Sequence, residues 1–266
     1  MYQYIETHKQ NEIATLWLNR PKKRNAMHEQ MIEELMEALK EFRRDESLKA
    51  LVIRGKGNVF CAGADLQWMQ SVMQYSFNEN KLESKQLYRL FHTLYSYPLP
   101  VISVVHGASY GGANGLVAAS DISIAESKTL FRFSEVQLGL LPAIISPFVV
   151  RRTGEFNARE LMLTGQEFNA DKALKTGLIN YKTPTEGIEQ QLEVLLASIR
   201  SAAITSVKNT KWMIRKVAAN MDMEELEDIT ADLIASARVS NEGQEGMKAF
   251  SEKRKPNWQD MSKQEN

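Results

Sequence analysis

The stretch YGGANGLVAASD, Tyr110 to Asp121, sets two adjacent glycines at the start of a run of small, apolar, helix-compatible residues. A glycine turn at a helix start leaves backbone N–H groups without partners. It also lets another molecule approach them with no Cβ in the way. Such donors carry partial positive charge and suit an oxyanion or a carbonyl oxygen. FCAGADL, Phe60 to Leu66, repeats the same logic. Two such N–H groups meeting on one oxygen form an oxyanion hole. Glycine also serves ordinary tight strand-to-helix turns, and spacing alone does not separate the two readings. A group that could move a proton lies further on. In FRFSEVQLGLLPA, Phe131 to Ala143, one acid, Glu135, stands among apolar residues ahead of Gly139 and Pro142. Desolvation raises the pKa of a carboxyl so placed, which suits proton transfer to and from carbon near neutral pH. The alternative is a glutamate that caps a helix or faces solvent.

Other chemistries lack their residues. The four histidines, His8, His28, His92 and His106, show no metal-ligand spacing, and there is no HExxH or CxxC. No GxSxG elbow and no GxxxxGK[ST] loop occurs, and the glycines at 107, 111, 112 and 115 do not fit GxGxxG. The single cysteine, Cys61, excludes an internal disulfide and fits a reducing cytoplasm. The N-terminus lacks a basic leader followed by an apolar segment, so no signal peptide is expected. No apolar run approaches a membrane span. Lys+Arg and Asp+Glu are equal at 33 each, which argues against a nucleic-acid or anionic-membrane partner.

The elements that must carry these turns alternate. YQYIETH and EIATLWLN read as a hairpin around KQN. EQMIEELMEALKEFRRD places Met31, Leu35, Met36, Leu39 and Phe42 on one helical face. ALVIRG is a buried strand, residues 63–74 and 79–97 are helical, VISVV is a strand, and DISIAE is another after the glycine turn. Strand–helix–strand repetition predicts an α/β core with right-handed crossovers. From Pro142 onward the pattern is mostly helical, over 144–152, 155–162, 170–175, 186–200, 203–219, 222–237 and 241–251. The expected organisation is an α/β core over 1–200 and a helical region over 201–266 with a polar tail that frays at its end.

FCAGADL, HGASYGGANGL and FSEVQLGLLPAIISPFVV, in this order, together with LNRPKKRNAM, resemble the enoyl-CoA hydratase/isomerase (crotonase) superfamily. The resemblance runs out to EGMKAFSEKRKPNW, and FSEVQLGLLPAIISPFVV is most similar to the bacterial methylglutaconyl-CoA hydratase-like branch. It implies a ββα spiral core with a C-terminal helical trimerisation region, assembled as a trimer or a dimer of trimers. It implies an acyl-CoA thioester substrate, with coenzyme A as part of the substrate and no separate cofactor. The oxyanion-hole amides would be those of Ala64 and Gly112, and the acid/base would be Glu135. Arg24, Ala26, Ala62, Gly63, Asp65 and Leu66 would surround the coenzyme A, and Phe250 and Lys253 match tail positions that reach it, often on a neighbouring subunit. By charge alone EKRK would be a solvated basic tail. One departure stands out: hydratases with two glutamates carry an acid in GGGCEL where this chain has Gly115, in GGANGL. A glycine there could leave room for a branched acyl group. The resemblance therefore implies a water-adding or water-removing enzyme with one glutamate. A double-bond isomerase on the same site and a non-catalytic acyl-CoA or acyl-carrier binding protein remain open.

Overall fold

A computed structural model of the chain describes residues 2–219 and 222–259. Contacts divide it into two compact units, Met1–Tyr97 with Val101–Leu192, and Pro98–Pro100 with Glu193–Asn266. The tail residues 260–266, expected to fray, lie outside the described residues.

The first unit opens with the hairpin β1 (Ile5–Gln10) and β2 (Ile13–Leu18). Its turn is two residues, Asn11 and Glu12, at φ 49° and 64°, the left-handed geometry that matches strand twist in tight hairpins. Helix α1 (Glu29–Arg43) buries Met31, Ile32, Leu35, Ala38, Leu39 and Phe42 along one stripe, and His28 caps its start, Nδ1 accepting from Met31 N at 3.1 Å. Strand β3 (Ala50–Gly55), helices α2 (Leu66–Val72) and α3 (Phe77–Tyr95), strands β4 (Val101–Val105) and β5 (Ala108–Tyr110) and helix α4 (Ala113–Ala119) follow. Next come β6 (Ile122–Glu126), β7 (Leu130–Arg132), α5 (Ser146–Thr164), β8 (Glu167–Asn169), α6 (Ala170–Lys175), β9 (Tyr181–Thr183) and α7 (Ile188–Arg200). The break expected in α5 falls at Gly154, whose φ of 74° and ψ of 157° interrupt the helix.

Six strands form one sheet in the order β1-β2-β3-β4-β6-β9, antiparallel only at the hairpin. Every residue of β4 is buried, as a parallel strand covered on both faces requires, and its one polar side chain, Ser103, donates to Ser123 Oγ on β6 at 2.7 Å. A second sheet, β5-β7-β8, was not expected from the sequence. Its strands are three residues each, too short for an alternating pattern to register. Isolated parallel bridges extend it, Cys61 to Ser109 and Met27 to Ala64. Each turn of the chain therefore repeats one unit: a long strand in the first sheet, a short extended segment in the second, then a helix. This is the ββα spiral. In the second layer β5 and β7 run parallel, which brings the ends of these successive short segments together, while β8 closes the sheet antiparallel to β7.

The second unit is helical: the end of α7, then α8 (Ile204–Val217), α9 (Met223–Val239) and α10 (Asn241–Ser251). Among the described residues no helix is long and apolar enough to cross a membrane.

Candidate active site

The loop after β2 is built around Asn25, fully buried, with φ 54° after Arg24 at φ 52°. Its side-chain amide donates to Lys56 O at 2.7 Å, Val59 O at 2.9 Å and Phe60 O at 3.1 Å, while its Oδ1 accepts from Arg20 N at 2.8 Å. The backbone of Ala62 donates to Arg24 O at 2.9 Å. These bonds hold RPKKRNAM against FCAGADL, so Arg24, Ala26, Ala62, Gly63, Ala64 and Asp65 come together. Leu66, 76% exposed, begins α2 beside them. Cys61 lies beneath, its thiol directed at Asn25 O, and burial pushes its pKa up to about 12, so it is an inert packing group.

The Ala64 amide is set free by its neighbours. Met27 donates to Gly63 O at 2.7 Å and accepts from Asp65 N at 2.8 Å. A residue flanked in this way in a parallel bridge turns its own N–H to the opposite side. Gly63 makes the reversal possible, with φ 95° and a position where a Cβ would lie 2.8 Å from Tyr110 O. The second turn is bound directly behind the first: Tyr110 N donates to Cys61 O and Gly111 N to Arg132 O at 2.8 Å. Among the described residues, the N–H groups of Ala64 and Gly112 donate to no acceptor.

Asp65 anchors this region. It accepts from the N–H groups of Gln67 at 2.7 Å and Trp68 at 3.2 Å, capping α2, and its other oxygen accepts from Arg20 Nη1 at 2.5 Å. Burial alone would raise the carboxyl. The Arg20 guanidinium and the two amides outweigh it and hold Asp65 below the usual carboxylate range. Such a group stabilises the native state above its unfolded pKa, and that contribution fades as pH falls through the native one. Asp65→Asn keeps a capping oxygen but leaves Arg20 buried without its counter-charge. It is expected to cost about 3 kcal/mol at neutral pH, and the gap from wild type should narrow on acidification. Urea unfolding at neutral and acidic pH measures both.

Glu135 opens a 3₁₀ turn, Glu135–Leu138, three residues after β7 ends. It is half-buried, and its Oε2 is buried with no hydrogen-bond partner. Burial raises its pKa above the ordinary range. A Cβ on Gly111, at φ 52°, would meet Glu135 Oε1 at 3.4 Å, so the carboxylate stands against the glycine turn. A desolvated carboxylate therefore adjoins the turn that carries one free amide, and that turn packs on the one carrying the other. This arrangement can stabilise negative charge on an oxygen and move a proton at an adjacent carbon.

Position 115 is not open. Gly115 is buried in α4, and a Cβ there would lie 2.6 Å from Ile145 Cγ2 and 2.7 Å from Phe91 Cζ. The glycine accommodates those side chains and does not leave space for a substrate branch. Phe250 and Lys253 lie in the second unit, Phe250 87% exposed on α10 and Lys253 at φ 54° just after it. Among the described residues no group of three or more His, Cys, Asp or Glu could hold a metal ion. Sequence reasoning missed Arg20 and Asn114. A polar residue inside the apolar run GGANGLVAA was the one available signal for the latter.

The chain matches the family model for enoyl-CoA hydratase/isomerase over residues 8–263. It belongs to that family, the crotonase superfamily. A solved enoyl-CoA hydratase from Shewanella pealeana is 37% identical with a TM-score of 0.93, covering 96% of each chain. Crotonyl-CoA hydratase of Syntrophomonas wolfei is 30% identical over 97% of this chain and 98% of its own. Trans-2-decenoyl-[acyl-carrier-protein] isomerase of Streptococcus mutans is 30% identical over 92% of this chain and 94% of its own.

Proposed function

We propose that this protein adds or removes water across the 2,3 double bond of an enoyl-CoA. The observation that carries the reading is the desolvated Glu135 carboxylate, its Oε2 without a hydrogen-bond partner, against the Gly111–Gly112 turn. The thioester carbonyl rests on the Ala64 and Gly112 amides. Glu135 takes a proton from water as its oxygen bonds to C3. Electron density moves to the thioester oxygen as an enolate, held more strongly there than in the ground state. Glu135 then returns the proton to C2. Water is conserved in the product, and both bonds form on the face where Glu135 stands. Arg24, Ala26, Ala62, Gly63, Asp65 and Leu66 hold the coenzyme A of the substrate, with Phe250 and Lys253 of a neighbouring chain reaching it. Trp68 supports an acyl chain with a polar acceptor, such as the carboxylate of methylglutaconyl-CoA. Its indole N–H is buried without a partner in the first turn of α2, four residues after Ala64. Self-assembly, as a trimer or a dimer of trimers, is supported by exposed apolar residues on the second unit, among them Trp212, Ile214, Val217, Ile234 and Val239.

A second reading, isomerisation of a 3-enoyl thioester, is favoured by the hydrocarbon packed at position 115. One carboxylate suffices to carry a proton from C2 to C4. Absorbance with crotonyl-CoA, methylglutaconyl-CoA and a 3-enoyl-CoA separates these. Hydration consumes the conjugated 2-enoyl chromophore, isomerisation creates it, and a non-catalytic binder changes neither.

Gly115→Glu tests the local packing. A glutamate there meets Phe91 and Ile145, and the overpacking is expected to cost about 1–3 kcal/mol, with a further cost for burying the carboxyl. Thermal unfolding reads this directly. Adding Phe91→Ala should recover part of the loss. It also places a second carboxylate in the region, and the pH–rate profile of that double variant should show coupled titration.

A further inference from the structure

We propose that Asn114 is a positioning residue that fixes the separation between the Gly112 amide and the Glu135 carboxylate; this rests on the functional reading above. The two groups leave the second sheet on different chain segments. Strand β5 pairs with β7 up to Tyr110 and Arg132. Beyond that point the first segment turns through Gly111 and Gly112 into α4, and the second runs through Phe133 and Ser134 to Glu135. One buried side chain crosses between them. Asn114, fully buried in the first turn of α4, donates from Nδ2 to Arg132 O at 2.8 Å and accepts at Oδ1 from Ser109 Oγ at 2.8 Å. The same Arg132 carbonyl accepts from Gly111 N at 2.8 Å, and Asn114 N donates to Gly111 O at 3.0 Å. Arg132 O is thus a shared anchor: the oxyanion turn holds it by two donors, and the base follows it by three residues.

The chemistry of the position selects an amide. A carbonyl partner demands a donor, and the Ser109 hydroxyl, which donates to Asn114 Oδ1, demands an acceptor. Ser109 is fully buried and the bond to Arg132 O is part-buried, so a missing bond leaves Ser109 Oγ unsatisfied in the interior. An aspartate would set acceptor against acceptor at Arg132 O. A leucine of similar size would strip both bonds while filling the space.

Asn114→Leu is the direct test, made on the full-length protein with Ser109→Ala as its milder companion. Small displacements of a reacting group cost rate heavily, so kcat in folded Asn114→Leu should fall about 10- to 100-fold, with KM nearly unchanged because the coenzyme A contacts are elsewhere. Ser109→Ala, which removes one of the two bonds, should fall less. A second readout does not need turnover. Carbon-13 NMR titration of Glu135, assigned by its loss in Glu135→Gln, should show the carboxyl moving down toward an ordinary value as the segment loosens and water reaches Oε2. Should Asn114→Leu fail to fold, Ser109→Ala carries both readouts. The proposal is overturned by a folded variant with unchanged kcat, or by a rate loss that tracks only the unfolded fraction while Glu135 titrates as in wild type. A wild type inactive on every enoyl thioester would sink the functional reading instead, and the Glu135 titration would then decide this one alone.

Discussion

Glu135→Gln is expected to lower turnover by roughly 100-fold or more, the scale of general acid–base catalysis, while leaving the fold and coenzyme A affinity near wild type. Glutamine keeps the size of the side chain and removes only its ability to gain and lose a proton. The pH behaviour gives the prediction a sign. Burial raises the Glu135 carboxyl, so the base is disabled on acidification at a pH above the ordinary glutamate value of about 4.3. The rate of hydration should therefore fall as pH drops through that raised value. Stability runs the other way. Between the ordinary and the raised value the native state holds a proton that the unfolded chain has released, so native stability declines as pH rises through that window. The glutamine variant lacks this decline. It should match or exceed wild-type stability at neutral pH, with the advantage disappearing at acid pH. Initial rates across pH, with urea unfolding at neutral and acidic pH, measure both halves. Wild-type turnover in the variant would remove Glu135 from the mechanism.

The parts of the site that could be read from sequence are those whose physics is local. Alternation in EIATLWLN, the stripe on α1 and the buried runs ALVIRG and VISVV each carry their own periodicity, and their elements lie where that predicts. Glu135 was visible as a lone acid in an apolar stretch. The glycine turns were visible as turns, but nothing local says that the Ala64 amide ends without a partner. That depends on Met27 taking the bonds on either side of it. The second sheet escaped notice for the same reason: three residues carry no period, and β5 and β7 exist because each has the other. Arg20 reaches Asp65 across 45 positions. Asn114 reaches Arg132 across 18. Gly115 shows the limit most plainly. An absent side chain says that something else occupies its place, but only packing shows that it is Phe91 and Ile145. One local signal was present and unread: Ser76 and Glu79 form a capping box that starts α3 at Phe77, two residues before the expected start.

Gly112→Pro should reduce kcat by about 10²- to 10³-fold, the usual cost of one oxyanion-hole donor. The substitution deletes the N–H and little else that the backbone would resist. Gly112 sits at φ −55°, inside the range proline imposes, and it precedes the first helical residue, where its N–H has no acceptor to lose. Proline also brings a Cβ, which would meet Met27 Cε at 3.2 Å. Gly112→Ala brings the same Cβ and keeps the N–H, so it isolates the donor from the contact. Alanine is expected to retain most of the activity, since the end of a methionine side chain can shift by a few tenths of an ångström. Circular dichroism must first show both variants folded, because the preceding Gly111, at φ 52°, has to accept a proline after it. A large loss in proline and a small one in alanine assigns the effect to the amide. Equal losses would assign it to the Cβ, and the YGG turn would then be a turn and nothing more.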